Sequence, residues 1–378
     1  MEHEDVIYRN LQKHMDISPS GFAATKSGAE IKLLQALYNK QEAEIATCLS
    51  TFSFESVETV YPRLKESGIE LTVDELARIL DEMMRKGLLN AKWGKNDDVR
   101  YKIAPMAAGG VADFQVNRLK QEVMDAFEQF HKDTFAEAKK NIGKADIPGL
   151  RVIPVSRSVT IDGKQKVASY DDIRLLIENA PGPLSVTNCI CRQTKRLKGE
   201  SCQYSDIEET CMQIGPDHAR QYVEMGSGRY ISKEEAFEIL ERAQDASFIF
   251  QPENSQNPEN ICCCCGDCCG FLRMAKNSPR PVDFFTTNYY ARIDPELCVG
   301  CETCIKRCPL EAVKMADGVA VVDDNRCIGC GNCVVTCEAN ACILHEKEQK
   351  HIPPSDKETM YNMIWEKKQE KAKQQQSE

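Results

Sequence analysis

Cys298-Val-Gly-Cys301-Glu-Thr-Cys304-Ile-Lys-Arg-Cys308-Pro309 is echoed 29 residues later by Cys327-Ile-Gly-Cys330-Gly-Asn-Cys333-Val-Val-Thr-Cys337-Glu338. Both runs have the spacing C-x2-C-x2-C-x3-C. At that spacing three cysteines wrap one cubane 4Fe–4S cluster, and the fourth of each run crosses to the other cluster. The expected ligand sets are Cys298, Cys301, Cys304 and Cys337 for one cluster, and Cys327, Cys330, Cys333 and Cys308 for a second. Zinc also uses C-x2-C knuckles. A zinc site takes four cysteines from two knuckles, however, and has no use for three in a row plus a fourth, twice.

On these residues, 292–345 resembles the bacterial-type two-cluster ferredoxin domain, which implies a ferredoxin-like fold with an internal two-fold repeat. Asp294 corresponds to Asp323, Cys298 to Cys327 and Ala312 to Ala341. Glu338 stands where the first run has Pro309; the proline shapes a turn, so ligation is expected to survive. The added carboxylate beside Cys337 is expected to lower that cluster's potential. Cys342 takes the repeat position of Val313 and is expected to pack as a small hydrophobe rather than ligate iron.

A chain of 378 residues has room for two or three domains, each with its own core. A net charge of −10 and a pI near 5.4 argue against nucleic acid as the primary partner. Met1-Glu-His-Glu-Asp-Val6 is charged and lacks an apolar signal core, so twenty cysteines read as metal ligands rather than disulfides. No apolar run approaches the ~20 residues that span a bilayer. The expectation is a cytoplasmic protein without membrane insertion, in an anaerobic or strongly reducing setting.

Near the N-terminus, Ile31–Tyr38 and Gln41–Leu49 carry helical patterns broken at Asn39-Lys40. Thr72 and Glu75 form a capping box, and Leu76, Ile79, Leu80 and Met83 give the following helix an apolar face that ends at Gly87. Leu88-Leu89 and Tyr101-Lys-Ile103 flank a turn-rich tip, Gly94–Asp98, and read as a hairpin. Helices followed by such a wing resemble the winged-helix domain of bacterial regulators. The helix that would enter a groove offers Asp74, Glu75, Arg78, Asp81, Glu82 and Arg85, and residues 1–110 hold 14 Lys/Arg against 17 Asp/Glu. That balance lacks the footprint of a duplex binder and favours docking or dimerisation. A long amphipathic helix is expected from Ala112 to Asn141.

In the middle, Arg151–Val155, Val159–Ile161 and Lys166–Ala168 read as strands, the last two about an Asp162-Gly163 turn. A short helix runs from Ser169 to Asn179. Leu184 to Arg192 reads as a strand whose end carries Cys189 and Cys191, and Cys202 and Cys211 follow in a loop-rich stretch. Helices are expected at Asp217–Met225 and from the Ser232/Glu235 capping box to Ala246, with a final strand at Ser247–Gln251.

Ten cysteines lie here. Cys189, Cys191, Cys202 and Cys211, spaced C-x-C-x10-C-x8-C, suffice for one tetrathiolate site. Cys262, Cys263, Cys264, Cys265, Cys268 and Cys269 form a second group. On extended backbone Cys262 and Cys264 would share one face and Cys263 and Cys265 the other, so this group is expected to split between two sites or roles. Gly266-Asp267 turns the chain so that Cys265 and Cys268 close a C-x2-C loop. Three readings stay open: additional iron–sulfur, structural zinc, or a reactive thiol system or substrate-reducing cluster. Cys268-Cys269-Gly270 resembles the CCG motif of heterodisulfide-reductase-type subunits, which implies a non-cubane cluster; the likeness covers three residues. Arg192, Lys195, Arg196 and Lys198 either offset thiolate charge, hold an anionic substrate, or form a solvated loop. His218, in Gly215-Pro-Asp-His218, reads either as a ligand or proton donor or as polar surface at a helix start, the more common case.

The expected fold class is α+β multidomain. It comprises a winged-helix-like head (1–110), a linking amphipathic helix (111–148), a cysteine-rich α+β domain (149–290) and a two-cluster ferredoxin domain (291–346). A short helix and a disordered tail (347–378) complete it. The chain is similar to multi-cluster ferredoxin-domain proteins of anaerobes, which implies single-electron transfer to or within an oxidoreductase system. Two alternatives stand: an electron-input or catalytic subunit of an oxidoreductase acting at the middle cysteines, or a redox-sensing DNA-binding regulator. Eight acidic residues against five basic between Ala291 and His345 favour a basic redox protein as partner. A homodimer and a complex subunit are both compatible with the sequence.

Overall fold

A computed structural model of the chain describes residues 3–95, 98–106, 109–141, 147–155 and 168–377. The chain begins with α1 (His3–Asp16), α2 (Ala29–Leu37), α3 (Lys40–Thr47), α4 (Val57–Glu66) and α5 (Val73–Arg85). The hairpin of β1 (Leu89–Trp93) and β2 (Val99–Ile103) follows, then α6 (Val111–Phe114) and α7 (Gln121–Asn141). Next come α8 (Ile173–Glu178), β3 (Leu184–Asn188), α9 (Ile190–Leu197), β4 (Glu209–Ile214), α10 (His218–Glu224) and β5 (Gly228–Ile231). They are followed by α11 (Lys233–Asp245), β6 (Ile249–Pro252), β7 (Asn260–Cys264) and α12 (Gly270–Lys276). The last elements are β8 (Tyr289–Ile293), α13 (Thr303–Arg307), β9 (Val313–Ala316), β10 (Val319–Val322), β11 (Cys342–Glu346) and α14 (Lys357–Ser377). This is a mixed α and β chain with small sheets. No helix among the described residues is long and apolar enough to cross a membrane.

Two compact units result, one of Met1–Lys144, Pro216–Arg229 and Tyr361–Glu378, the other of Ala145–Gly215 and Tyr230–Met360. In the first, the Thr72 hydroxyl accepts from Glu75 N–H while the Glu75 carboxylate accepts from Thr72 N–H, and Leu76, Ile79, Leu80 and Met83 are buried. The stretch before it, between Leu49 and Thr72, to which the sequence pattern assigns no element, holds helix α4. It buries Val60 and Leu64 even though Pro62 lies inside it, and an interior proline is what hides a helix from pattern reading. The single helix expected from Ala112 to Asn141 is interrupted: Asn117 takes a positive φ of 63° between α6 and α7. Its side chain donates to the Ser227 carbonyl at 3.0 Å. The expected disordered tail is also corrected, because α14 continues to Ser377. Glu, Lys, Gln and Ala are strong helix formers, Trp365 meets Phe52 edge-on at 5.0 Å, and Lys368 donates to the Ser18 carbonyl at 3.0 Å.

The second unit contains both 149–290 and 291–346 apart from 216–229. Its sheet has the order β5-β3-β4-β7-β6, with β3–β4, β4–β7 and β6–β7 antiparallel. Val186 and Met212 from the sheet and Ile239, Leu240 and Ala243 from α11 are buried in one core. Arg151 to Val155 makes isolated bridges, Arg151 to Thr286 and Ile153 to Phe250, rather than the full strand its sequence implies. The Arg151 guanidinium is buried and donates to Asp171 at 2.6 Å. The hairpin expected at Val159–Ala168 falls, up to Val167, outside the described residues, as do Asn96 and Asp97 at the β1–β2 tip.

The C-terminal part of this unit carries the internal repeat in its backbone. Asp294 N–H donates to the Ala341 carbonyl at 2.8 Å, and Asp323 N–H to that of Ala312 at 2.7 Å. Gly300 and Gly329, the third residue of each cysteine run, have φ of 66° and 65°. A Cβ on Gly300 would stand 2.8 Å from the Gly318 carbonyl, and one on Gly329 would overlap that of Tyr289. Only glycine fits both the conformation and the approach.

Candidate metal centres

In the repeat, Cys327 is buried and Cys308, Cys330 and Cys333 lie beside it; all four line a small pocket partly open to solvent. Backbone N–H groups point at the thiols in symmetric fashion. Ala291 donates to Cys327 Sγ at 3.4 Å, its repeat mate Ala320 to Cys298 Sγ at 3.4 Å, and Ala312 to Cys308 Sγ at 3.2 Å. Such donors stabilise thiolates, and hydrogen bonds to sulfur tune cluster potential. The two ends of the repeat differ in setting. Cys301 is exposed and Val299 beside it is 74% exposed, whereas Cys327 and Cys333 are buried. Desolvation, reinforced by the neighbouring Cys333 thiol, pushes both Cys304 and Cys308 up to about 11. Cys342 is buried beside Cys333 in the core that also holds Leu344 and Tyr289.

The middle cysteines fall into two groups on opposite faces of β7. Cys263 and Cys265 pack into the core with Phe248 and Val186, while Cys264 joins Leu272, Leu310 and Ile328, with Cys262 against them. Alternation along an extended strand puts them there. Two local readings are corrected. The strand expected to run through Arg192 stops at Asn188, so Cys189 caps α9 and Cys191 lies in its first turn. Cys211 sits in β4 rather than a loop, paired across the sheet with Cys262.

Through this pairing six thiols form a row of interacting neighbours: Cys189 with Cys191, Cys191 with Cys269, Cys269 with Cys264, Cys264 with Cys262, and Cys262 with Cys211. Interaction with a neighbouring thiol on either side holds Cys262 and Cys269 well below the ordinary thiol range and drives Cys264, between them, well above it, as Cys191 does Cys189. The remaining thiols of the loop converge elsewhere. Cys202, Cys265 and Cys268 gather about the carboxylate of Asp267, a residue the cysteine count alone passes over. Its position inside Cys265-Gly-Asp-Cys268 was the available signal.

The basic residues after Cys191 divide by burial. Arg192 is buried, lies over the Phe248 ring at 4.6 Å, and places Nη1 3.9 Å from Cys265 Sγ. Lys195 donates to Asp267 at 2.9 Å. These two offset charge among the thiols. Arg196 pairs with Glu208 and Lys198 is exposed; both are surface charges, but at the C-terminal end of α9 rather than in the expected loop. His218 is buried in the other unit between Phe114 and Tyr222, not on the surface.

Residues 290–338 match the family model described as a 4Fe-4S dicluster domain. This part of the chain is a ferredoxin-type domain that binds 4Fe–4S. No curated protein and no solved structure matches the chain.

Proposed function

We propose that the protein relays single electrons between a docked redox protein and a metal group held by the middle cysteines. In this reading the ferredoxin-type domain carries two 4Fe–4S clusters, one on Cys298, Cys301, Cys304 and Cys337 and the other on Cys327, Cys330, Cys333 and Cys308. When bound, such a cluster supplies a one-electron couple at low potential. The row of Cys189, Cys191, Cys211, Cys262, Cys264 and Cys269 holds additional iron–sulfur. Six thiols strung along a row exceed what one tetrahedral ion takes.

One observation carries the proposal. Cys264, Cys269, Leu310 and Ile328 are buried in a single apolar cluster, with Cys262 and Cys330 packed against it. The buried end of the repeat therefore adjoins the row in a dry setting, while exposed Cys301 serves the partner. The acidic excess of the domain selects a basic partner by charge. The helices and hairpin of residues 1–110, read as a winged helix, dock or dimerise rather than bind duplex.

Iron and sulfide per chain after anaerobic purification test this. More than about eight irons are expected, with the excess lost in Cys264→Ala/Cys269→Ala. About eight irons, unchanged by that double substitution, would sink the proposal.

A further inference from the structure

We infer that Cys202, Cys265, Cys268 and Asp267 bind one tetrahedral divalent cation of thiolate-preferring chemistry, zinc or ferrous iron, as a centre separate from the row. This deepens the reading of the middle cysteines as metal ligands and does not depend on the electron relay. The ligand atoms of the four side chains all lie within 4.8 Å of one another. Four ligands at ~2.3 Å from one ion stand roughly 3.8 Å apart by tetrahedral geometry, so small inward shifts complete the shell. A cubane spreads its thiolates over four different irons and holds them farther apart.

The carboxylate is oriented as a ligand would be. Asp267 Oδ2 accepts from Lys195 Nζ at 2.9 Å and from Gln203 N–H at 2.8 Å. Oδ1 is left facing Cys202 Sγ and Cys268 Sγ, each at 3.4 Å. One oxygen fixed by outer partners and the other offered inward is the support that ligating carboxylates receive. The thiol protons now shared with Oδ1 are those that a metal ion displaces.

Charge also balances. Three thiolates and a carboxylate around a dication leave two negative charges. Lys195 on Asp267 and Arg192, 3.9 Å from Cys265 Sγ, oppose them. A simple C-x2-C dithiol, closing Cys265 to Cys268 as a disulfide, would account for neither Cys202 nor the aimed carboxylate.

The test uses the full-length protein purified anaerobically, with zinc, iron and sulfide measured per chain. Cys202→Ser and Cys268→Ser are expected to lose about one metal ion with sulfide unchanged, and which metal falls separates zinc from iron. Protein produced with Co²⁺ in place of zinc is expected to show the intense visible bands of tetrahedral thiolate-bound cobalt. Those bands should vanish in Cys268→Ser and shift in Asp267→Asn, a change that preserves side-chain size and so guards against misfolding of the cysteine variants. Three results would each overturn the inference. They are sulfide lost together with iron in Cys268→Ser, metal content unaltered by any of these substitutions, and a Cys265–Cys268 disulfide in the metal-free wild-type chain. Loss of iron and sulfide in Cys264→Ala reports on the row alone and keeps the two proposals distinguishable.

Discussion

Gly266→Ala isolates the packing that joins the middle cysteines to the ferredoxin-type domain. A Cβ at Gly266 would stand 2.8 Å from Pro309 Cβ, 2.9 Å from the Tyr204 hydroxyl and 3.0 Å from the Pro309 carbonyl. Carbon atoms in good contact sit about 3.5–4.0 Å apart, so roughly an ångström must be recovered. Two of the three atoms belong to Pro309, whose ring and carbonyl are fixed next to Cys308 and cannot swing aside as a flexible side-chain end would. Overpacking of this kind costs about 1–3 kcal/mol, and the rigid neighbour places it in the upper half. For a unit of this size each kcal/mol moves Tm by about 2–4 °C, so a fall of roughly 4–12 °C is expected. Gly270→Ala is the control, because nothing lies within 4 Å of its Cβ. That change should leave Tm level or slightly raised. Anaerobic calorimetry of the loaded protein reads both. Equal melting temperatures for Gly266→Ala and wild type would refute the close approach of this loop to Pro309.

Arg151→Met strands Asp171 in the core and should cost about 3–5 kcal/mol in anaerobic denaturant unfolding; Arg151→Met/Asp171→Leu should recover most of it, and equal losses would contradict a buried pair. Burial raises the Glu253 carboxyl to about 7 from an ordinary 4.5, against the pull of Lys357. Between those pH values the folded chain keeps a proton that the unfolded chain has lost. Stability should therefore fall as pH rises from 4.5 to 7, by up to about 3 kcal/mol, and Glu253→Gln should flatten that slope in pH-dependent melts. Cys342→Ala should leave iron and sulfide unchanged, whereas Cys333→Ala should lose about four irons; iron loss in Cys342→Ala would make it a ligand. Glu338→Gln should raise the potential at the exposed end of the repeat in a spectroscopic redox titration, since Glu338 bears electrostatically on Cys301; an unchanged potential would dismiss its role.

The ferredoxin-type part was legible because its information is local. Ligand spacing, the offset of the repeat and the two glycines that permit its turns all lie within one short stretch. The opposite faces of Cys262 and Cys263 were legible for a similar reason, since strand periodicity needs no knowledge of distant partners. What joins Cys211 to Cys262 is a ladder between β4 and β7, and no nearby residue announces it. The same holds for Cys189, read as a strand end because its apolar neighbours alternate, although α9 begins immediately after it. Helix α4 was hidden by Pro62, and α14 by a composition that reads equally as a solvated tail or as a helix with docking contacts.

The apolar cluster shared by Cys264, Cys269, Ile328 and Cys330 also constrains how the protein is made. Cys264 and Cys269 are buried in that seam, so the iron–sulfur group proposed for their row can reach them only before the seam closes. Iron delivery and chain collapse are therefore competitors in time. A chain that closes first traps unloaded cysteines side by side, whereas early delivery lets the inorganic core act as the template on which the two halves of the unit meet.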